Sequence, residues 1–414
     1  MLLSQSISSL YNRTRTSLRL APAISLIIAP FSRVHRQLFG LMMAAVSLQP
    51  LHAAPVMEQF LDPIDGRFDA SQFLASTTGF LPIPIIITEP AIGYGLGLAL
   101  AFFHDTGEDA PNNDPNAPLY LPPRISALAY GQTENGTRFG GLGHFGSYQE
   151  DTLRYKGFIG RGDFNLTYYP NSIDQGLPFN LEGNMTLQQV LFRTSLTGLF
   201  AGGRFTYQSS SINFERGTPS ATVSTTVGIG DLDSASSGLG LIVHYDTRFP
   251  YLAPDSGHLF KFEPMIYSES FGGDYNYEQL KLASYSYWPL NDEFALGVRV
   301  EGDIHEGKGP FYALPYIDMR GIPAMRYQGD RVLVTELEAR WDLTSRWSLT
   351  GFAGSGWTSN SDPGPNQGTS SAKIARGLGF QYLIARRYTI RSGVEIAVGP
   401  EDTVVGLSFG SNWK

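Results

Sequence analysis

The chain has no cysteine, so neither a disulfide nor a thiolate metal site can contribute to its stability. It lacks any uninterrupted apolar run of the ~18 residues that a membrane-spanning helix needs, and its mean hydropathy is −0.11. Charged residues are only 16% of 414, against ~25% in an ordinary soluble domain. The net charge is −8 and there is no basic tract, which argues against nucleic acid as a partner. Helical periodicity is missing from Leu81 onward. Glycine is plentiful, 46 residues of 414 against a usual ~7%, and aromatics reach 13%. Low charge, many aromatics and glycines, and no hydropathy peak fit a transmembrane β-barrel, whose alternation averages out in any window. A secreted all-β protein has a similar composition, so composition alone leaves both open.

The N-terminus has the pattern of an export signal. Arg33 and Arg36 precede the apolar run Leu38–Val46, and Leu51-His52-Ala53-Ala54 follows Pro50 as a cleavage region, with cleavage expected after Ala53. A weaker apolar patch, Ile24 to Phe31, points to a true start further downstream. The expected division is residues 1–53 as export signal region, 54–80 as a short periplasmic N-terminal segment, and 81–414 as one β-domain. Within the second, Asp62-Pro63-Ile64-Asp65-Gly66 is turn chemistry.

Short alternating runs recur from Leu81 to Trp413, and sixteen strands are predicted, an even number as in single-chain bacterial barrels. The twelfth shows the pattern best. Val332, Val334, Glu336, Glu338 and Arg340 share one face, and Leu333, Thr335, Leu337, Ala339 and Trp341 the other. A soluble sandwich would turn the charged face to water, and a membrane barrel would turn it to the lumen. Two patterns favour the barrel. Short links such as Gln149–Asp151, Pro254–Ser256, Thr344–Arg346 and Ala385–Arg387 alternate with longer ones such as 215–237, 306–330 and 358–371. Charged faces also recur, as in Arg299, Glu301, Asp303 and His305, in His244 and Asp246, and in Arg391 and Glu395. Lipid-facing charge costs about 2–4 kcal/mol at the midplane, so these faces should turn inward. The link 105–123 fits badly, being long yet on the expected periplasmic side. The first strand carries Pro82 and Pro84, which suits an edge or seam. Gly93, Gly95 and Gly97 make one strand face small, and no helix follows to make a nucleotide loop of them.

Several motifs resemble the bacterial surface antigen family, which holds the barrels of the BAM and TAM assembly complexes and of two-partner secretion transporters. Tyr245-Asp246-Thr247-Arg248 with Pro250, Pro254 and Gly257 resembles its strand-turn signature. Met319-Arg320-Gly321-Ile322 is similar to its Val-Arg-Gly-aromatic loop motif, and Phe352-Ala353-Gly354-Ser355-Gly356 to its Phe-x-Asp-x-Gly strand. Gly377–Gly379 and Gly406–Gly410 resemble its closing strands. The likeness covers 235–414 by motif and 81–234 by architecture. It implies an outer-membrane barrel of about sixteen strands whose loop 306–330 folds into the lumen. Arg320 would then lock the loop to wall carboxylates, with Gly321 allowing a tight turn. Gly354 stands where the family has its wall Asp, so Glu336 or Glu338 is the expected partner. Residues 54–80 are too short for one of the family's periplasmic domains, which implies a barrel-only relative.

The function expected is insertion or translocation of protein at the bacterial outer membrane, the alternatives being a passive pore or a structural surface antigen. Expected partners are outer-membrane lipid and client outer-membrane or secreted proteins. The seven histidines include His35 and His52 in the signal region and His244 and His305 on lumen faces. No nucleophile motif adjoins either lumen histidine, so neither an enzyme nor a cofactor is expected. Arg386-Arg387 reads as a solvated turn.

Overall fold

The computed structural model describes residues 60–76, 81–104, 124–168, 177–214, 233–251, 253–360, 372–410 and 413. The export signal region with its cleavage point, and the link 105–123, lie outside the described residues. The strands are β1 (Leu81–Ile87), β2 (Gly95–Phe103), β3 (Ile125–Thr133), β4 (Arg138–Tyr148), β5 (Leu153–Tyr168) and β6 (Leu177–Arg193). They continue as β7 (Leu199–Phe214), β8 (Asp233–Asp246), β9 (Gly257–Tyr267), β10 (Asn276–Pro289) and β11 (Phe294–Lys308). The last are β12 (Arg331–Asp342), β13 (Trp347–Ser359), β14 (Lys373–Ala385), β15 (Ile390–Val398) and β16 (Thr403–Phe409). Among the described residues, one short helix, α1 (Ser71–Ser76), precedes them.

Each strand pairs with its sequence neighbours, giving one sixteen-stranded sheet in chain order that curls into a nearly closed antiparallel barrel. Among the described residues no ladder joins β1 to β16. Both are seven residues long, whereas β6 reaches 17. The alternation has the expected sense. On β12, Leu333, Leu337 and Trp341 are 43%, 48% and 42% exposed, while Val332, Val334 and Glu336 are 6%, 2% and 3%. Arg299, Glu301 and His305 are likewise buried inside. With apolar residues facing out and charge facing in, the wall suits a bilayer.

Several strand ends differ from the sequence reading. The run expected to reach Phe271 stops at Tyr267, because the Ser268 hydroxyl accepts from Ser270 N at 3.2 Å and starts a 3-10 turn. The eighth run, expected over Gly238–Arg248, spans Asp233–Asp246, so Thr247 and Arg248 belong to a turn. That link is 247–256, longer than the expected Pro254–Ser256. It folds inward, with Tyr251 stacked on Phe145 at 5.7 Å. β16 ends at Phe409 instead of reaching Trp413, and Trp413 packs inside the barrel against Tyr287 at 5.7 Å.

Candidate functional site

The link 309–330 between β11 and β12 occupies the lumen. Its two arms run antiparallel: Ile317 N donates to Tyr327 O at 3.0 Å, and Gly329 N to Pro315 O at 3.0 Å. At the tip Ile322 N donates to Met319 O at 3.0 Å, and Gly321 has φ +82°, a conformation that glycine adopts without steric cost. A Cβ at Gly321 would lie 3.1 Å from Ala397 Cβ and 3.2 Å from Gly399 N, so the tip touches the end of β15.

Two apolar anchors hold the loop across the barrel. Ile317, Met319 and Ile322 pack on Val332, Val334 and Ala375 of the β12–β14 wall. Phe311 and Met325 pack on Phe179, Leu181 and Ile212 of the opposite wall. Polar ties add to both ends. Ser210 Oγ donates to Tyr312 Oη at 2.7 Å, and Gln279 Nε2 to Ala313 O at 2.8 Å. Ala324 N donates to Glu89 Oε1 in the β1–β2 link at 3.0 Å. Tyr327 donates to Glu401 in the β15–β16 link, and Arg326 pairs with the same carboxylate at 3.4 Å. The tip therefore reaches the links that flank both seam strands.

Arg320 sits between these anchors. Its Nε donates to Glu336 at 3.1 Å, and its Nη1 to Glu338 at 2.7 Å and to Glu395 at 3.4 Å. Its guanidinium lies 3.6 Å from the centre of the Phe352 ring, a cation–π contact. Nη2 is buried without a hydrogen-bond partner among the described residues. The ion pairs extend along the wall. Arg299 donates to Glu336 at 2.6 Å and to Glu301 at 2.9 Å, and Lys281 lies 3.5 Å from Glu301. Arg320, Gly321, Glu336 and Glu338 are thus brought together. Glu395 and Phe352 join them without having been singled out from the sequence as contacts.

The glycine at 354 has a geometric reason. Gly354 is the register partner of Glu336, and a Cβ there would lie 2.6 Å from both Glu336 Cγ and Met319 Sδ and 2.9 Å from Thr335 O. The carboxylate that meets Arg320 stands on β12, across from Gly354, and the glycine leaves room for it. Gly354→Asp is expected to destabilise the barrel by about 1–3 kcal/mol through overpacking. Pairing it with Glu336→Gly should recover much of this. The measurement is the temperature at which the compact gel mobility of the folded barrel is lost.

The strand-turn motif lies apart, at the short-turn end. Asp246 accepts from Arg248 Nε at 2.9 Å and Nη2 at 3.1 Å, and from Arg154 Nη1 at 2.8 Å. Gly257 has φ +87°, and a Cβ there would meet Thr247 O at 2.1 Å. Tyr245 faces out and stacks on Phe260 at 6.1 Å. These residues shape the β8–β9 turn and do not touch the lumen loop.

A second ionic cluster was not legible as one. Asp62, Asp65 and Asp69, on the segment before β1, all accept from Arg346 of the β12–β13 turn: Asp65 at 2.7 Å, Asp69 at 2.6 Å, and Asp62. Arg346 is fully buried. Arg386 of the β14–β15 turn donates to Asp62 at 2.6 Å and to Asp65 at 2.8 Å. Arg386 is therefore half of a clasp, not the solvated turn expected, and Arg387 N donates to Ser71 Oγ at 3.0 Å. The Arg346 hydrogen bond holds the Asp65 carboxyl down at about 2. At Asp69 burial opposes ionisation, but hydrogen bonds from Ser71 and Arg346 still keep it below the usual range.

No family model matches the chain, and no curated protein matches it. Solved structures do. BamA from Haemophilus ducreyi lacking POTRA domains 1–3 aligns over 80% of this chain and 70% of its own, at 12% identity and TM-score 0.54. CdiB from Acinetobacter baumannii aligns over 80% and 59%, at 12% identity and TM-score 0.53. CdiB from Escherichia coli aligns over 79% and 61%, at 11% identity and TM-score 0.51. The chain spans less than two thirds of either CdiB. It has the fold of the BamA and CdiB barrels, a sixteen-stranded barrel of the outer-membrane type, as its motifs resemble.

Proposed function

We propose that this barrel inserts or translocates protein at the bacterial outer membrane, with the loop 309–330 as a lid latched by Arg320. One observation carries the reading. A loop that fills the lumen is tied by a single arginine to three wall carboxylates, and its tip contacts the links beside both seam strands. Short, proline-bearing β1 and short β16 make a weak edge pair, so moving the tip would act on the place where the wall parts most easily. The latch is strong but leaves one guanidinium nitrogen unused, which suits a lid that must release. The fold shared with BamA and CdiB, and the motif resemblance, support a protein client over a small solute. A passive pore would need an open lumen, and the lid crosses this one.

The absence of native cysteine makes a tether practical. Gly321→Cys with Ala397→Cys places two Cβ atoms near 3.1 Å, close to disulfide reach, at a cost of about 1–3 kcal/mol for the non-glycine conformation. In liposomes carrying the barrel, oxidation is expected to abolish insertion of an added outer-membrane protein, and reductant to restore it. Equal insertion by the oxidised and reduced forms would sink the lid reading.

A further inference from the structure

On the outer wall of β2–β6, polar groups gather near the short turns among the apolar residues of the lipid face. Leu128, Leu142 and Ile159 are 47%, 60% and 60% exposed and mark the outward parity of β3, β4 and β5. By the same period of two, Ser126, His144 and Gly157 face outward one step nearer the turns. They form a single register row with Phe102 and Gln188. A hydrogen-bonded line crosses this row. His104 Nε2 and Ser126 Oγ are 2.7 Å apart, Ser126 Oγ and His144 Nδ1 2.7 Å, and His144 Nε2 and Tyr148 Oη 2.6 Å. Arg124 stands over the Tyr148 ring at 5.6 Å, and Tyr155 donates to Gln188.

Glycines let these groups lie flat on the wall. A Cβ at Gly146 would be 3.0 Å from Arg124 Cγ and 3.1 Å from Tyr148 Oη, and one at Gly157 would be 2.4 Å from Tyr155 Oη. Polar groups on a lipid face are costly unless hydrogen-bonded, and this line satisfies its members internally. Ser126 has one hydroxyl proton, so the line runs in one direction. Either direction leaves a donor at one end, on His104 Nδ1 or on Tyr148 Oη. Beside it runs a groove of about 300 Å³ with Phe102, Leu128, Leu142, Phe158 and Ile159 among its walls. Short turns face the periplasm in barrels of this type, which sets the line at the inner leaflet, where aromatic residues mark the headgroup level.

We propose that this is a binding site for one anionic glycerophospholipid of the periplasmic leaflet. Its phosphate is held by Arg124 with the terminal donor of the histidine–tyrosine line, and an acyl chain lies in the groove. Charge complementarity favours this occupant: the Arg124 guanidinium and the donor at the end of the histidine–tyrosine line gather beside an apolar slot on a face that lipid covers. The site requires only that the barrel sits in a bilayer, and it is independent of the lid.

The test uses the full-chain barrel, refolded, mixed with phosphatidylglycerol or phosphatidylcholine, and assayed for retained lipid by native mass spectrometry. The wild type is expected to retain phosphatidylglycerol in preference to phosphatidylcholine. Arg124→Gln should weaken retention about tenfold, as loss of a charge-assisted hydrogen bond does. His144→Phe, which removes the centre of the line, should weaken it too and serves if the first variant does not fold. Arg138→Gln, at the far end of β4, should leave it unchanged. Equal retention of the two lipids by the wild type, or full retention by a folded Arg124→Gln or His144→Phe barrel, would overturn the site. Because lipid retention is read without any client protein, neither result bears on the lid.

Discussion

Replacing Arg320 with Ala is expected to turn a barrel that is closed in planar bilayers into one with long-lived conducting states. The guanidinium meets Glu336, Glu338 and Glu395 and lies over Phe352. Removing one partner of a buried ion-pair network costs about 3–5 kcal/mol, because it leaves uncompensated charge behind. Of the three carboxylates, Glu336 would keep its pairing with Arg299. The apolar anchors oppose release. Each buried side chain of this kind contributes at most about 1.5–3 kcal/mol, so the loss of Arg320 offsets one or two of Ile317, Met319 and Ile322. The tip half of the loop should then detach, its open population rising by at least about a hundredfold. The half held by Phe311 and Met325 should stay in place, so the conductance should fall short of that of a barrel lacking the loop. Arg320→Lys is expected to lie between, since one ammonium cannot bridge Glu336 and Glu338 as the planar fork does. Unchanged closed times in a folded Arg320→Ala barrel would remove the latch from the account.

How far the sequence carried this site follows from the distance over which each contact acts. Strand parity is local, so Glu336 and Glu338 could be placed on the lumen face from a period of two alone. Their meeting with Arg320 needed only that the loop fold inward, as the motif implied. Glu395 is 75 residues from Arg320, and its arrival depends on the register of strands that no local pattern encodes. Phe352 stood in a recognised motif, yet its place under the guanidinium comes from where the loop tip lands. The vacancy at Gly354 became intelligible only once the register set it opposite Glu336. Strand ends were legible to within a few residues except where a tail or turn folded inward, at Thr247–Ser256 and at Trp413. There the residues still alternate, but lumen packing replaces ladder hydrogen bonds.

The Asp62–Asp69 segment shows the same limit most sharply, and it carries the other large effect. Its aspartates sit in turn-forming sequence, and turn chemistry accounts for them locally: Asp62 accepts from Ile64 N at 2.7 Å and Asp65 from Arg67 N at 3.0 Å. Their main partner is Arg346, 277 to 284 positions away. Arg346→Ala is expected to free the segment. The change removes a fully buried cation among three carboxylates, again at about 3–5 kcal/mol, and leaves the half-buried Arg386 as the side-chain cation beside them. Trypsin reports the release at Arg67, which lies exposed between Asp65 and Asp69. When opening is fast relative to cleavage, the rate follows the open population, so cleavage should accelerate on the order of a hundredfold or more. Acid should do the same to the wild type. Asp65 is held at about 2 against 3.8, and Asp69 is also lowered. A depressed carboxylate stabilises above its unfolded pKa and loses that contribution as pH falls through the folded one. The clasp should therefore be intact at pH 5 and weaken between roughly 4 and 2. Cleavage read with an acid-active protease across that window should rise in the wild type, and change much less in Arg346→Ala, where the segment is already free. The clasp grips the β12–β13 and β14–β15 turns from the short-turn end, and Arg320 grips β12 and β15 from within the lumen. The same stretch of wall next to β16 is thus held twice, and freeing the segment should lower the barrier to lid movement without any change at Arg320 itself.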